Sequence, residues 1–230
     1  MSNSRWFWTG ATLLLAGGIF WAVDQAVSPS SGDVEFKKAA ESIKQVKSFR
    51  GMYVDSASST QHSERLWEVD CNRNIVHQQS RDLQINSDSD PEMKEDELLV
   101  GELRYRHDSS GSWENLGPAT FSGTWYCETI AKGAPRDLLP DLLTMTRTGW
   151  FEKGDKKMVN GVSCREWKYD VRTSISVRKG SMCIGVNDHL PYEMTPENGG
   201  RYSYSDYNRP IPFEAPEAVL QSASSTEGSN

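Results

Sequence analysis

The spacing of apolar residues divides the chain beyond its first thirty residues into one helix and a long series of strands. Between positions 33 and 47 apolar residues recur at helical spacing, and Asp33 is a suitable N-cap, so the pattern predicts a helix over 33–47. From Phe49 onwards, short runs rich in β-branched and aromatic residues are separated by polar turns, as in strands. Along 65–71 apolar and polar side chains alternate, which predicts a sheet with one apolar and one wetted face.

Two segments in the middle of the chain extend this pattern. The stretch 121–130 predicts a further strand, on which Phe121, Trp125 and Cys127 share a face. Four leucines at helical spacing then predict a helical segment over 135–145.

The last third of the chain returns to strands. Asn160-Gly161 predicts a two-residue hairpin turn. Apolar residues change parity within 162–171, which either a bulge or a strand that is apolar on both faces explains. The alternation of serine and tyrosine within 202–207 predicts a strand close to an edge of the sheet. The order of elements predicts an α+β fold with one large antiparallel sheet of about ten strands.

An uncharged apolar run dominates the N-terminus. Arg5 is followed by eighteen residues without a charge, from Trp6 to Val23. As a helix this run would be about 27 Å long, close to the thickness of a hydrocarbon core. Tryptophans at both ends, with Arg5 before the run, predict a single-pass anchor with the N-terminus inside. Residues 1–26 are therefore expected to form a membrane anchor and 27–32 a linker, with a cleaved signal segment as the alternative.

Composition and charge restrict the class of partner. The net charge is −7, the basic residues are scattered, and hydrophobic residues make up 37% of the chain, an ordinary share for a globular protein. An acidic surface repels nucleic acid phosphates and anionic membrane faces, and we exclude nucleic acid as the primary partner. The tail 217–230 is low in complexity and is expected to be disordered.

All four cysteines follow the predicted export segment, and an even number in an oxidising compartment predicts two disulfides. Three pairings are open to four cysteines. We favour Cys164–Cys183, across neighbouring strands, together with Cys71–Cys127. A metal site is disfavoured because the chain has no CxxC motif and no histidine within four residues of a cysteine.

Other chemistry is weakly indicated. The acidic stretch 85–97 carries oxygen ligands at several positions of an EF-hand-like loop, but Pro91 occupies the position that requires glycine, so we interpret it as a solvated loop. The four histidines fall in turns or polar stretches, and no GxSxG motif is present. We therefore predict that the protein is not an enzyme and needs no metal or cofactor.

Four stretches resemble the bacterial lipoprotein-carrier superfamily, which includes the LolA and LolB proteins and mycobacterial lipid-binding lipoproteins. Residues 36–50 resemble its opening helix and first strand, 158–169 and 181–194 its later hairpins, and 205–216 its closing strand. The resemblance extends over most of 33–216 and implies a curved, unclosed antiparallel sheet, a half-barrel covered by a few helices around an apolar cavity for acyl chains. The four cysteines and the anchor depart from the family pattern, and an anchor would prevent free diffusion of a shuttle.

These observations predict non-catalytic binding of a lipid or lipidated protein, in the periplasm, by a domain tethered to the bacterial inner membrane through residues 6–23. A protein partner in the envelope is also expected. Face parity alone selects the residues that would line the cavity: Trp67, Val69, Trp125, Trp167 and Tyr169. The same aromatic residues could instead build a solid core. The alternative hypothesis is therefore an envelope interaction or sensor module whose core is filled by its own side chains.

Overall fold

The computed structural model describes residues 31–55, 61–84, 92–108, 110–133, 138–172, 177–197, 199–213 and 219. The predicted anchor, its linker up to residue 30 and all of the predicted tail except residue 219 lie outside the described residues. Within the described part of the chain, no helix is long and apolar enough to cross a membrane.

Three helices and eleven strands make up the described elements. The helices are α1 (Ser31–Ile43), α2 (Gly123–Ala131) and α3 (Leu142–Thr148). The strands are β1 (Ser48–Asp55), β2 (Gln61–Asp70), β3 (Ile75–Gln84), β4 (Glu92–Val100), β5 (Leu103–His107), β6 (Trp113–Pro118), β7 (Gly149–Val159), β8 (Val162–Arg172), β9 (Val177–Gly185), β10 (Pro191–Pro196) and β11 (Arg201–Ser205).

All eleven strands belong to one antiparallel sheet in the order β6-β5-β4-β3-β2-β1-β11-β10-β9-β8-β7. Strands β1 to β6 form one meander and β7 to β11 another, and the pairing of β1 with β11 joins the two. Because β6 and β7 stand at opposite ends of this order, the sheet stays open. The predicted α+β half-barrel with a few covering helices is confirmed.

The final strand occupies the centre of the sheet, so the prediction of an edge-proximal strand at 202–207 is wrong. Tyr204 pairs with Gly51 of β1, and Met194 of β10 pairs with Tyr202. Serine and tyrosine alternate because the tyrosines face the helices and the serines the opposite side. The local pattern shows which face is apolar, but it carries no information about which strands lie on either side.

Helix α1 places its apolar stripe against the sheet. Phe36, Ala39, Ala40 and Ile43 are each no more than 1% exposed. The helix ends at Ile43 rather than at 47, and the chain turns from there into β1. Its principal contacts are with α3 and β7, so it joins the first and last thirds of the chain.

The segment 121–130, predicted as a strand, contains helix α2 instead. The Ser122 side chain accepts a hydrogen bond from the Trp125 backbone N–H and so caps the helix. Gly123 packs so closely on the Asn74 carbonyl oxygen that a Cβ there would lie 2.1 Å from it. Capping and a close backbone approach therefore outweigh the β-rich composition.

Two further boundaries differ from the prediction. Of the helical segment expected at 135–145, residues 135–137 lie outside the described residues. Within the described part, helix α3 begins at Leu142, where Asp141 caps it, and continues to Thr148. Residues 92–97 of the predicted acidic loop belong to β4, whereas 85–91 lie outside the described residues. Strand β4 tolerates these acidic residues because some of them pair with basic side chains, such as Glu97 with Arg104.

Both predicted disulfides are confirmed. Cys71, just after β2, is bonded to Cys127 on α2, and Cys164 on β8 is bonded to Cys183 on β9. Strands β8 and β9 pair in a continuous register, while the bulge lies in β7 between Lys153 and Lys156. The parity change within 162–171 therefore arises because β8 is apolar on both faces, with Cys164 on one and Trp167 on the other.

We expect the two disulfides to contribute unequally to stability. Cys71–Cys127 spans 56 residues and Cys164–Cys183 spans 19. Loop-closure entropy therefore gives the first about 4 kcal/mol and the second about 3 kcal/mol. Denaturant unfolding of the two paired Cys→Ser variants should show the larger loss for Cys71/Cys127. A larger loss for Cys164/Cys183 would contradict this entropic ranking.

Candidate functional site

The face of the sheet that the helices cover, here called the inner face, carries the main apolar core. Residues from all three helices join it in one cluster with Phe49, Trp67 and Tyr169. The opposite, outer face carries a smaller cluster around Ile75 and Leu98. The inner face is therefore where a ligand between helices and sheet would be held.

A row of large side chains crosses the inner face on five neighbouring strands. The register places its members directly opposite one another in the order Tyr53, Tyr202, Met194, Met182, Trp167. We call this the aromatic row. Its two ends differ: the first three members are partly exposed, whereas Met182 and Trp167 are 1% and 3% exposed. The row thus leads from the surface into the core.

Trp67 lies beside the partly exposed half of the aromatic row, in space that a glycine leaves open. It pairs with Gly51, and a Cβ at Gly51 would lie 2.0 Å from the indole nitrogen. The Trp67 ring centroid is 6.4 Å from those of both Tyr202 and Tyr204. Because residue 51 has no side chain, the Trp67 ring can pack directly on β1 at the centre of the sheet, beside two tyrosine rings.

The buried half of the row lies under α1. Phe36 stacks on Phe151 with ring centroids 4.0 Å apart and meets Trp167 edge-on at 6.3 Å. Tyr169 pairs with Gly180, and burial raises the pKa of its hydroxyl to about 12. The aromatic rings of this half are buried, and the register places Lys153 and Arg178 beside them on the same face.

The helices cover the inner face unevenly. The contacts of α1 with the sheet are mainly with β7 and those of α3 with β8, while α2 packs on β3 and β4. The central strands β1, β11 and β10 lie between these two covered regions. That is also where Tyr53, Tyr202 and Met194 are partly exposed.

Two indole N–H groups are buried without an acceptor among the described residues. They belong to Trp67 and Trp167, which are 5% and 3% exposed. A buried donor left unsatisfied costs about 1–3 kcal/mol. The inner face therefore contains polar donors that its own described side chains do not use.

The structure brings four of the five predicted lining residues together. Trp67, Val69, Trp167 and Tyr169 all face inward and are at most 5% exposed, so whether they contact a ligand stays a prediction. Trp125, the fifth residue, was assigned to the lining because 121–130 was predicted to be a strand. It lies on helix α2 instead, where it is half-buried and its ring is 4.8 Å from that of Phe121.

Three members of the aromatic row, Tyr53, Tyr202 and Met194, were not predicted. The alternating tyrosines of 202–204 signalled the face of β11. Local alternation could not show that Tyr53 and Met194 lie on either side of it.

The outer face carries a buried charged cluster that sequence patterns did not indicate. His77 Nε2 lies 2.7 Å from an Asp96 oxygen, and His77 Nδ1 lies 3.3 Å from Glu68. Arg50 Nε donates to Glu68 at 2.7 Å, and His107 is 3.6 Å from Asp96. The partners come from separate strands, so only the sheet register brings them together.

A shallow open groove of about 490 Å³ also lies on the outer face, and its Lys157 and Glu193 pair with Cys164 and Cys183. Its charges neutralise one another: Lys157 contacts Glu193 at 2.7 Å and Glu166 at 3.2 Å, and Arg201 also contacts Glu193. In the described ranges, no group of three or more histidine, cysteine or acidic residues could hold a metal ion.

The His77 cluster should make stability depend on pH. Burial disfavours the imidazolium, but hydrogen bonds to Asp96 and Glu68 and their negative charges outweigh it and raise the pKa of His77 from 6.5 to about 9. Protonated His77 therefore stabilises the fold fully below about pH 6.5, and this contribution is lost as pH rises through about 9. Arg50 and His107 complete the charged surroundings.

Unfolding free energies of the wild type and His77→Gln, measured from pH 5.5 to 9.5, test this expectation. The wild-type advantage should be largest at the acidic end and shrink towards pH 9.5. Asp96→Asn removes one partner and should move the decline to lower pH. An advantage that grows with pH would contradict the assignment.

Comparison with known proteins concerns the fold. No family model matches the chain, and no curated protein sequence matches it. LprF from Mycobacterium bovis has a similar structure, with a TM-score of 0.54 at 9% identity, over 82% of this chain and 100% of LprF. A chain of the Pseudomonas aeruginosa MucA/MucB complex gives 0.43 at 14% identity, over 80% of this chain and 59% of that one.

A conserved protein of unknown role from Thermus thermophilus gives a TM-score of 0.39 at 8% identity, over 84% of this chain and 93% of that protein. Of these three, LprF has the highest score, and at so low an identity its likeness shows the fold alone. It agrees with the resemblance seen in the sequence. The chain therefore shares its fold with LprF.

Proposed function

We propose that this domain binds a lipid, or the acyl chains of a lipidated protein, between its sheet and its helices outside the cytoplasm. The carrying observation is the aromatic row, which leads from the partly exposed Tyr53, Tyr202 and Met194 to the buried Met182 and Trp167. An elongated apolar ligand would follow this row across the central strands, where the helices cover the sheet least.

The chemistry of the row suits an acyl chain and requires no catalysis. Its side chains are large, apolar and polarisable, and each square ångström of hydrocarbon removed from water is worth about 25 cal/mol. Two disulfides support a location in an oxidising compartment, such as the periplasm.

The second candidate function is an envelope interaction or sensor module with a filled core. The observation that favours it is the burial of Trp67, Val69, Trp167 and Tyr169, none of which is more than 5% exposed. Under this alternative, the aromatic row is part of the core, and partners bind elsewhere on the surface.

Adjacent residues on opposite faces of β10 provide a matched test. Met194 belongs to the aromatic row, whereas Thr195 points to the outer face and lines its polar groove. The full chain, purified from an oxidising periplasm, should release phospholipid or acylated peptide on extraction and show bound lipid by native mass spectrometry. Met194→Asp should abolish this lipid, because a carboxylate in an apolar site is strongly disfavoured. Thr195→Asp should retain it.

Circular dichroism and intact disulfides in both variants serve as controls for folding. Equal lipid in the two variants would contradict the inner face as the binding site. A lipid-free wild type that takes up no added phospholipid would favour the filled-core module, and protein partners would then be sought.

A further inference from the structure

One corner of the sheet combines exposed apolar side chains with positive charge. It consists of residues 150–153 of β7, 168–172 of β8 and 177–179 of β9, and we call it the basic corner. Trp150 is 60% exposed and Val177 is 61% exposed. Trp150 pairs with Asp170, and Val177 with Arg172, so both lie on the outer face, on the two strands that flank β8.

The charge of the basic corner is opposite to that of the whole protein. It carries five cationic side chains and two acidic ones, on a chain whose net charge is −7. Lys168, Arg172 and Lys179 lie with the two acidic residues on the outer face, whereas the register places Lys153 and Arg178 on the inner face. Both acidic groups form ion pairs with cations of the basic corner. Asp170 lies 3.4 Å from Arg172 and 3.6 Å from Lys179, and Glu152 lies 3.7 Å from Lys168. The basic corner therefore keeps an excess of positive charge beside an exposed tryptophan and an exposed valine.

The chain enters the domain beside this corner. Gly32, in the first turn of α1, packs so closely on Phe151 that a Cβ there would lie 2.3 Å from the Phe151 Cβ. Phe151 is the neighbour of Trp150 on β7. Seven residues, and so eight Cα–Cα steps, separate Ser31 from Val23, the last residue of the apolar run. Fully extended, they reach at most about 28 Å. If residues 6–23 lie in a bilayer, its surface is within that distance of β7.

We infer that the basic corner docks on the surface of the anionic bilayer that holds residues 6–23. Tryptophan is favoured at the boundary between headgroups and acyl chains. Each lysine or arginine near an anionic surface contributes about 1 kcal/mol. The short tether keeps the corner within reach of the membrane, so several weak contacts are sufficient to orient the domain.

This orientation has a consequence for the inner face. The basic corner lies at one end of its strands. At that same end of the sheet, Gly180 of β9 lies opposite Pro196 of β10, and Arg201 of β11 lies opposite Val54 of β1. Tyr53 and Tyr202, the exposed start of the aromatic row, are next to that end. Docking through the basic corner therefore directs the exposed start of the row towards the bilayer.

The test uses photo-crosslinking in the full chain in vesicles that contain phosphatidylglycerol. Trp150→p-benzoylphenylalanine should form a lipid adduct. The matched control is Met158→p-benzoylphenylalanine, because Met158 is 66% exposed on the same strand. It lies eight residues away, about 25 Å along β7, and should form none. Equal adducts at both positions, or adducts at 158 alone, would overturn the proposal.

Charge reversal provides a second measurement. Arg172→Glu and Lys179→Glu should each lower the adduct yield at 150 about fivefold or more, whereas Lys156→Glu, outside the basic corner, should not. A yield unchanged by these reversals would overturn the proposal. A mature chain that lacks residues 1–26 would overturn it too, because no tether would remain. Because Trp150 faces outward, loss of lipid from the inner face in Met194→Asp leaves this result unaffected.

Discussion

The pairing of the first strand with the last is the constraint on which the rest of the structure depends. Each meander alone would be a sheet of five or six strands with an open edge in the middle of the present fold. When β1 pairs with β11, the two edges disappear and the inner face becomes continuous. The aromatic row exists only because of this seam, since Tyr53 comes from one meander and the other four members from the second.

The two faces of this continuous sheet carry different kinds of side chain. On the inner face, glycines at 51 and 180 lie opposite large aromatic side chains, so that flat rings can lie on the sheet where a Cβ would collide with them. On the outer face, paired charges follow the strands, from Arg50 and His77 in one meander to Lys157 and Glu193 in the other. The main apolar core and most of these paired charges thereby lie on opposite sides of a single layer.

Features set by nearest neighbours were predictable from sequence. The large antiparallel sheet, the hairpin at Asn160-Gly161 and the inward side of Trp67 and Trp167 follow from alternation and turn chemistry, which act over a few residues. The open half-barrel was implied by the family resemblance. The central place of β11 and the cluster around His77 follow from pairings between distant strands. Helix α2 was missed because the Ser122 cap and the fit of Gly123 on Asn74 outweigh the strand-like composition of that segment.

Neither disulfide joins the two meanders across the pairing of β1 with β11. Cys71–Cys127 closes the part of the chain before α3, and Cys164–Cys183 the part after it. The junction between the parts consists of backbone pairing at β1 and β11 and of side-chain packing between α1 and both α3 and β7. A single peptide cut between α2 and α3 would thus yield two fragments, each with its own cross-link and half of the sheet. Such fragments are natural partners for reassembly without a covalent bond between them.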